Sequence, residues 1–177
     1  MKRPAVYAIY GAVAMVVLFI VGAVITVYFG LYNVSADDQH TVPVRNFINY
    51  ARDRAVAVHL GEVDVPPLKD PQMIAKGAGE YDAMCTACHL APGMKENDLR
   101  AGLNPKPPSF AKRRRPGNAA EQFWDVKHGF KMTGMPAWGA THSDADIWNI
   151  VAFMQTMPGM TGDAYKQLAA SAPPDNH

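Results

Sequence analysis

The stretch that decides the fold is Met84-Cys85-Thr86-Ala87-Cys88-His89-Leu90, which holds both cysteines of the 177-residue chain. In a Cys-x-x-Cys-His sequence, the two thiols can form thioethers with the vinyl groups of a haem, and the adjacent imidazole can bind the iron. We therefore predict one covalently bound haem c. Its attachment points would be Cys85 and Cys88, and His89 would be an axial ligand of the iron.

Three other interpretations of this motif are weaker. A zinc site needs further ligands at matching spacing, and the chain has no other cysteine. A thioredoxin-like redox pair belongs beside a strand and helix unit, whereas this motif follows a helical pattern. A structural disulfide between Cys85 and Cys88 would leave the adjacent His89 unexplained.

A haem iron also needs a second axial ligand or an open position. The predicted ligand is Met135, in the loop Met132-Thr133-Gly134-Met135-Pro136-Ala137-Trp138. Its thioether favours reduced iron, so His/Met ligation raises the reduction potential. The flanking glycine and proline fix a loop conformation that a core-filling methionine would not need. Because the chain has ten methionines, Met132 and also His128 stay open as alternatives.

Signals for helix starts predict a mainly α domain over residues 70–160. Asp70 and Pro71 form a cap and first-turn pair ahead of the cysteine motif. Asn118 can cap a second helix that ends at Gly129. Ser143, followed by an acidic residue at the capping-box position, can begin a third. No alternating strand pattern of useful length occurs.

Residues 1–36 are predicted to be a transmembrane anchor. No charged side chain occurs between Pro4 and Ala36, and the apolar run to Tyr32 can cross a ~30 Å hydrocarbon core. Lys2 and Arg3 precede this run, which favours a cytoplasmic N-terminus and a periplasmic domain at a bacterial inner membrane. The alternative is a cleaved signal peptide, but the apolar run is roughly twice the usual length.

Two segments flank the predicted domain. Residues 37–69 form a spacer, in which an apolar stripe at helical spacing predicts a short amphipathic helix that lies on a membrane surface or docks on a partner. That stripe consists of Phe47, Ile48, Ala51, Ala55 and Val58. Residues 161–177 are rich in alanine and proline, and we expect a flexible tail there.

The order of these motifs resembles a mono-haem class I cytochrome c. That resemblance implies three to four helices around one haem c, preceded here by an anchor and a spacer. It also implies that the first and last domain helices cross where Gly77 and Tyr81 meet Ile150 and Phe153. In this family a proline carbonyl accepts the N–H of the ligand imidazole. Three prolines are candidates for that role: Pro92, Pro105 and Pro107.

The expected function is single-electron transfer rather than catalysis. The anchor and spacer resemble those of cytochrome subunits tethered beside oxidases or dehydrogenases, which implies redox protein partners and no small-molecule substrate. A net charge of +1 does not suggest nucleic-acid binding. The basic run Lys112-Arg113-Arg114-Arg115 could steer an acidic partner or lie on anionic lipid, or it could simply be solvated. A sensor with an open sixth iron position is the alternative function.

Overall fold

The computed structural model describes residues 3–173, which are mainly helical and contain no β-strand. The chain divides into two units, the first ending at Asp38 and the second beginning at Gln39. The helices are α1 (Arg3–Tyr28), α2 (Val42–His59), α3 (Pro71–Met84), α4 (Thr86–His89), α5 (Asp98–Gly102), α6 (Ala119–His128), α7 (Asp144–Thr156) and α8 (Gly162–Ala170), with 3₁₀ turns at Phe110–Lys112 and Trp138–Ala140. The predicted mainly α class is confirmed.

The first unit is built on α1, a strongly apolar helix of 26 residues. At 1.5 Å per residue it is about 39 Å long, enough to cross a bilayer core of ~30 Å. Within residues 3–173 it is the one helix that is long and apolar enough to cross a membrane. A signal sequence would also meet these two criteria. The helix ends at Tyr28 because Gly30 adopts a φ of 61° and the Leu31 N–H donates to the Thr26 carbonyl at 2.9 Å. Lys2, whose charge favours a cytoplasmic N-terminus, lies outside the described residues.

The three predicted helix starts in the second unit are confirmed. The Asp70 and Asn118 side chains each accept a hydrogen bond from the backbone N–H two residues later, at 2.9 and 3.0 Å. Ser143 and Asp146 form a reciprocal capping box at the start of α7. Each cap satisfies backbone donors that the first helical turn leaves unpaired, so local sequence sets where α3, α6 and α7 begin.

The core of the second unit is the crossing of α3 and α7. At Gly77 the two backbones approach so closely that a Cβ would lie 1.8 Å from the Asn149 carbonyl oxygen and 2.9 Å from the Ile150 nitrogen. One turn further along α3, the Tyr81 ring packs against Phe153 with centroids 5.2 Å apart. Both rings are fully buried. The crossing residues implied by the family resemblance are therefore confirmed.

The predicted amphipathic helix is present as α2, which packs against α6. The residue it buries is Val56, 8% exposed, whereas the predicted apolar stripe faces solvent. After α2, Val63 and Leu68 pack against the core. The helix and the segment that follows it thus belong to the folded second unit.

The expectation of a flexible tail over residues 161–177 is corrected for the stretch that forms α8. Thr161 caps this helix, and its Tyr165 is 4% exposed. The Tyr165 hydroxyl donates to Asp82 of α3 at 2.5 Å, and its ring lies 5.8 Å from that of Phe153. Burial of one aromatic ring and one hydrogen bond hold the segment on the domain despite its alanine-rich composition. Residues 174–177 lie outside the described part.

Candidate haem-binding site

The cysteine motif forms a single helical turn directly after α3. Cys85 is the residue at which α3 ends and α4 begins, and its carbonyl accepts the His89 N–H at 2.8 Å. Leu90 ends the turn with a φ of 61°, and its carbonyl accepts the buried Tyr81 hydroxyl at 2.8 Å. This turn brings Cys85, Cys88 and His89 together, as the sequence predicts.

The two thiols differ in burial. Cys85 is buried in the hydrophobic core, Cys88 is half-buried, and both are free cysteines. Burial raises the pKa of the Cys85 thiol to about 12, with smaller contributions from Cys88 and Glu80. In the haem-free chain the Cys85 thiol is therefore neutral at physiological pH.

The His89 imidazole is buried and held by one hydrogen bond. Its Nδ1 lies 2.9 Å from the Pro108 carbonyl oxygen, and because a carbonyl can only accept, Nδ1 carries the proton. Nε2 is then the unprotonated nitrogen that can bind a metal. Burial lowers the pKa of His89, an effect that outweighs the Pro108 bond, so the ring stays neutral at pH 7.

The identity of this proline differs from the prediction. Pro92, Pro105 and Pro107 were the candidates, and the carbonyl that meets His89 is that of Pro108. The reason is geometric, because the path of the loop between α5 and the first 3₁₀ turn decides which carbonyl points at the ring.

A buried arginine holds this loop in place. The Arg100 side chain is 8% exposed and pairs with Glu96 at 2.6 Å. It also donates to the Pro107 carbonyl at 2.7 Å, one residue before the carbonyl that accepts from His89. Arg100 is therefore a positioning residue for the Pro108 carbonyl, and no pattern in the sequence singled it out.

Phe110 connects the imidazole to the basic run. Its ring stacks on His89 with centroids 4.7 Å apart and an interplanar angle of 19°. The Arg113 guanidinium lies over the Phe110 ring, 4.8 Å from its centroid. Lys112, Arg114 and Arg115 are exposed beside it. Phe110 and Arg113 thus connect the His89 ring to the exposed basic surface.

The Met135 loop is fixed by its backbone. The Phe130 N–H donates to the Met135 carbonyl at 3.2 Å, and the Met135 N–H donates to the Thr133 hydroxyl at 3.1 Å. Gly129 has a φ of 59°, and a Cβ there would lie 2.6 Å from the Met135 oxygen. Met135 is half-buried and packs against the core cluster that contains Cys85.

The alternatives to Met135 lie in different environments. Met132 is fully exposed and has a φ of 57°. His128 is exposed, and its ring lies 4.9 Å from that of Trp124. Of the three candidates, Met135 is the one packed against the same core as Cys85.

The donor set fits a covalently bound haem. Two thiols precede, within one helical turn, an imidazole whose Nδ1 is held by Pro108, and Met135 packs on the same core as Cys85. In addition, the buried atoms Arg100 Nε and Ser109 Oγ have no hydrogen-bond partner among residues 3–173. Both can donate to carboxylates such as those a haem carries. These features define the class of protein as a cytochrome c-type haem domain.

Comparison with known families agrees with this class. Residues 72–154 match the family described as cytochrome C oxidase, cbb3-type, subunit III, so this part of the chain is a cytochrome c family domain. No curated protein and no solved structure matched the chain. A domain of this family implies haem c and haem-based electron transfer.

Proposed function

We propose that the chain is a membrane-anchored, periplasmic electron-transfer cytochrome with one haem c. Cys85 and Cys88 would attach the haem, and His89 and Met135 would bind its iron. The observation that carries the proposal is the buried, neutral His89, whose Nδ1 donates to Pro108 and whose Nε2 is left available directly beside the two thiols.

The haem supplies a one-electron Fe(III)/Fe(II) couple when bound. The protein orients the His89 ring through Pro108 and Phe110 and excludes water by burial. Met135 supplies a soft sulfur that favours the reduced state. If both His89 and Met135 bound the iron, no position would remain for a substrate, so the proposed role is that of a carrier rather than an enzyme.

The proposed membrane topology depends on α1. Its length and composition suit a single-pass anchor; Arg3 is its first residue, and Asp37 and Asp38 follow it in the sequence. Basic residues favour the cytoplasmic side. This arrangement would place the haem domain in the periplasm of a bacterial inner membrane.

The partners are proposed to be redox proteins of a respiratory chain. The chain acts as a tethered carrier or as the haem c subunit of a membrane oxidase, dehydrogenase or similar complex, and the name of the matching family favours an oxidase. The exposed run Lys112–Arg115 is suited to steer an acidic partner, because complementary charge accelerates encounter. Electron-transfer rates that do not change with ionic strength would exclude this steering role.

The test is a reversible redox titration of the detergent-extracted holoprotein, with carbon monoxide added to the reduced form. We expect a one-electron couple and a reduced spectrum that carbon monoxide leaves unchanged. A large spectral shift would indicate an open iron position and therefore a ligand-binding sensor. Co-purification after mild detergent extraction distinguishes a complex subunit from a lone carrier.

A further inference from the structure

Helix α2 has an exposed apolar face, defined by Val44, Phe47, Ile48, Ala51, Ala55 and Val58. At about 100° per residue these six positions fall within a sector about 100° wide. All six are exposed, and Phe47 is 72% exposed. A continuous apolar helix face of this kind is normally covered by another protein surface or by a membrane.

The rest of the helix does not explain this face. Val56, the residue that α2 buries, lies about 130° around the helix from the centre of the apolar face. With α2 packed on α6 and the following segment anchored by Val63 and Leu68, the helix has a fixed orientation on the domain. The apolar face therefore points outward as a constant feature of the second unit.

The charges around the face identify what covers it. The one acidic residue of α2, Asp53, pairs with Arg52 at 2.7 Å and lies off the apolar face. Arg54 and Arg45 are exposed beyond its two edges, and neither takes part in an ion pair within residues 3–173. An apolar strip bordered by arginines is the pattern of a helix that lies in a lipid headgroup layer. The surface that complements it is anionic and apolar together.

The chain length limits how far α2 can lie from a membrane. Thirteen residues, 29–41, separate the end of α1 from the start of α2. Fully extended, they reach at most about 45 Å. If α1 spans a bilayer, α2 stays within roughly one bilayer thickness of its surface.

We propose that α2 lies in the headgroup region of an anionic lipid surface, with its apolar face inserted and Arg45 and Arg54 on lipid phosphates. This inference rests on the proposed anchor. Because α2 is part of the folded second unit, its insertion would hold the haem domain at the membrane in a set orientation rather than let it swing on its tether. The surface for redox docking would then be presented in a constant direction.

The experiment places a spin label on α2 of the full-length holoprotein in lipid nanodiscs. The labelled variants are Phe47→Cys, on the apolar face, and Asn46→Cys, a matched control that is exposed about 100° further round the helix. Collision with oxygen reports hydrocarbon, and collision with a water-soluble nickel chelate reports solvent. Nanodiscs with and without phosphatidylglycerol are compared.

We expect the label at position 47 to collide several-fold more with oxygen than with the nickel chelate, and the label at 46 to show the reverse. The contrast should weaken without phosphatidylglycerol and on Arg45→Gln/Arg54→Gln substitution. Equal nickel accessibility at both positions overturns the proposal. So does a label at 47 that is shielded in native membranes but solvent-exposed in nanodiscs, since a protein partner then covers the face.

The same samples separate this proposal from the haem assignment. Holoprotein without an added cysteine should take up no label, because both native thiols would be thioethers. Labelling of that protein would contradict the haem attachment, whatever depth is measured at position 47.

Discussion

Among substitutions that add a single methyl group, we expect Gly77→Ala to destabilise the domain most. A Cβ at this position would lie 1.8 Å from the Asn149 oxygen, 2.3 Å from its carbonyl carbon and 2.9 Å from the Ile150 nitrogen. All three atoms belong to the backbone of α7, so no side-chain rotation can relieve the overlap. The helices α3 and α7 must move apart by more than about 1 Å.

The magnitude follows from two opposing effects. Overpacking in a core costs about 1–3 kcal/mol, and the upper end applies here because the strain falls on backbone and also loosens the Tyr81–Phe153 contact. Alanine gains about 1 kcal/mol over glycine in helix propensity. We therefore expect a net loss of ~2 kcal/mol in the free energy of unfolding. For a folded unit of this size that lowers the melting temperature by about 7 °C.

The assay is denaturant unfolding of full-length holoprotein in detergent, followed by far-UV circular dichroism and by haem absorption. The matched control is Gly102→Ala, because a Cβ there meets nothing within 4 Å; its stability should stay within about 0.5 kcal/mol of the parent protein. If Gly77→Ala proves as stable as Gly102→Ala, the close helix crossing is not as described.

Three further outcomes are expected. If Met135 is the second iron ligand, Met135→Ala should lower the reduction potential and let the reduced protein bind carbon monoxide, whereas Met132→Ala should change neither in the same titration. Lys76→Met should lower the free energy of unfolding by about 1 kcal/mol at neutral pH, because the 2.5 Å bond from Lys76 helps to lower the pKa of Asp146 to about 2. As the pH falls from about 4 towards 2, Asp146 is protonated, and the difference in unfolding free energy between mutant and parent should shrink. A difference that stays constant over this range would contradict the role of the Lys76–Asp146 pair. Arg100→Met should lower the free energy of unfolding by about 2 kcal/mol, because it removes a charged donor from the part-buried Pro107 carbonyl. It should also alter the hyperfine-shifted NMR signals of His89, and unchanged signals would exclude its positioning role.

What the sequence predicts well here is local. The caps at Asp70, Asn118 and Ser143 act within one helical turn, so the residues that set them are adjacent in the chain. The same holds for the Cys-x-x-Cys-His turn, whose geometry depends on five consecutive residues. These features need no knowledge of the tertiary fold.

What the sequence leaves open depends on contacts between distant segments. The choice of Pro108 over Pro107 depends on the loop path, which Arg100 helps to fix. The α8 helix has a visible cap at Thr161, but its stability comes from Tyr165 meeting α3 and α7, which lie far away in the chain. The sequence predicts the apolar stripe of α2 correctly. The packing of α2 on α6, which the sequence does not show, turns this stripe away from the domain.

The most direct test of the central claim is the mass of the denatured holoprotein made with the haem-attachment machinery. We expect the polypeptide mass plus one haem, carried on the peptide that contains Cys85 and Cys88, and none on a Cys85→Ala/Cys88→Ala chain. A protein of bare polypeptide mass with two alkylatable thiols would contradict the account.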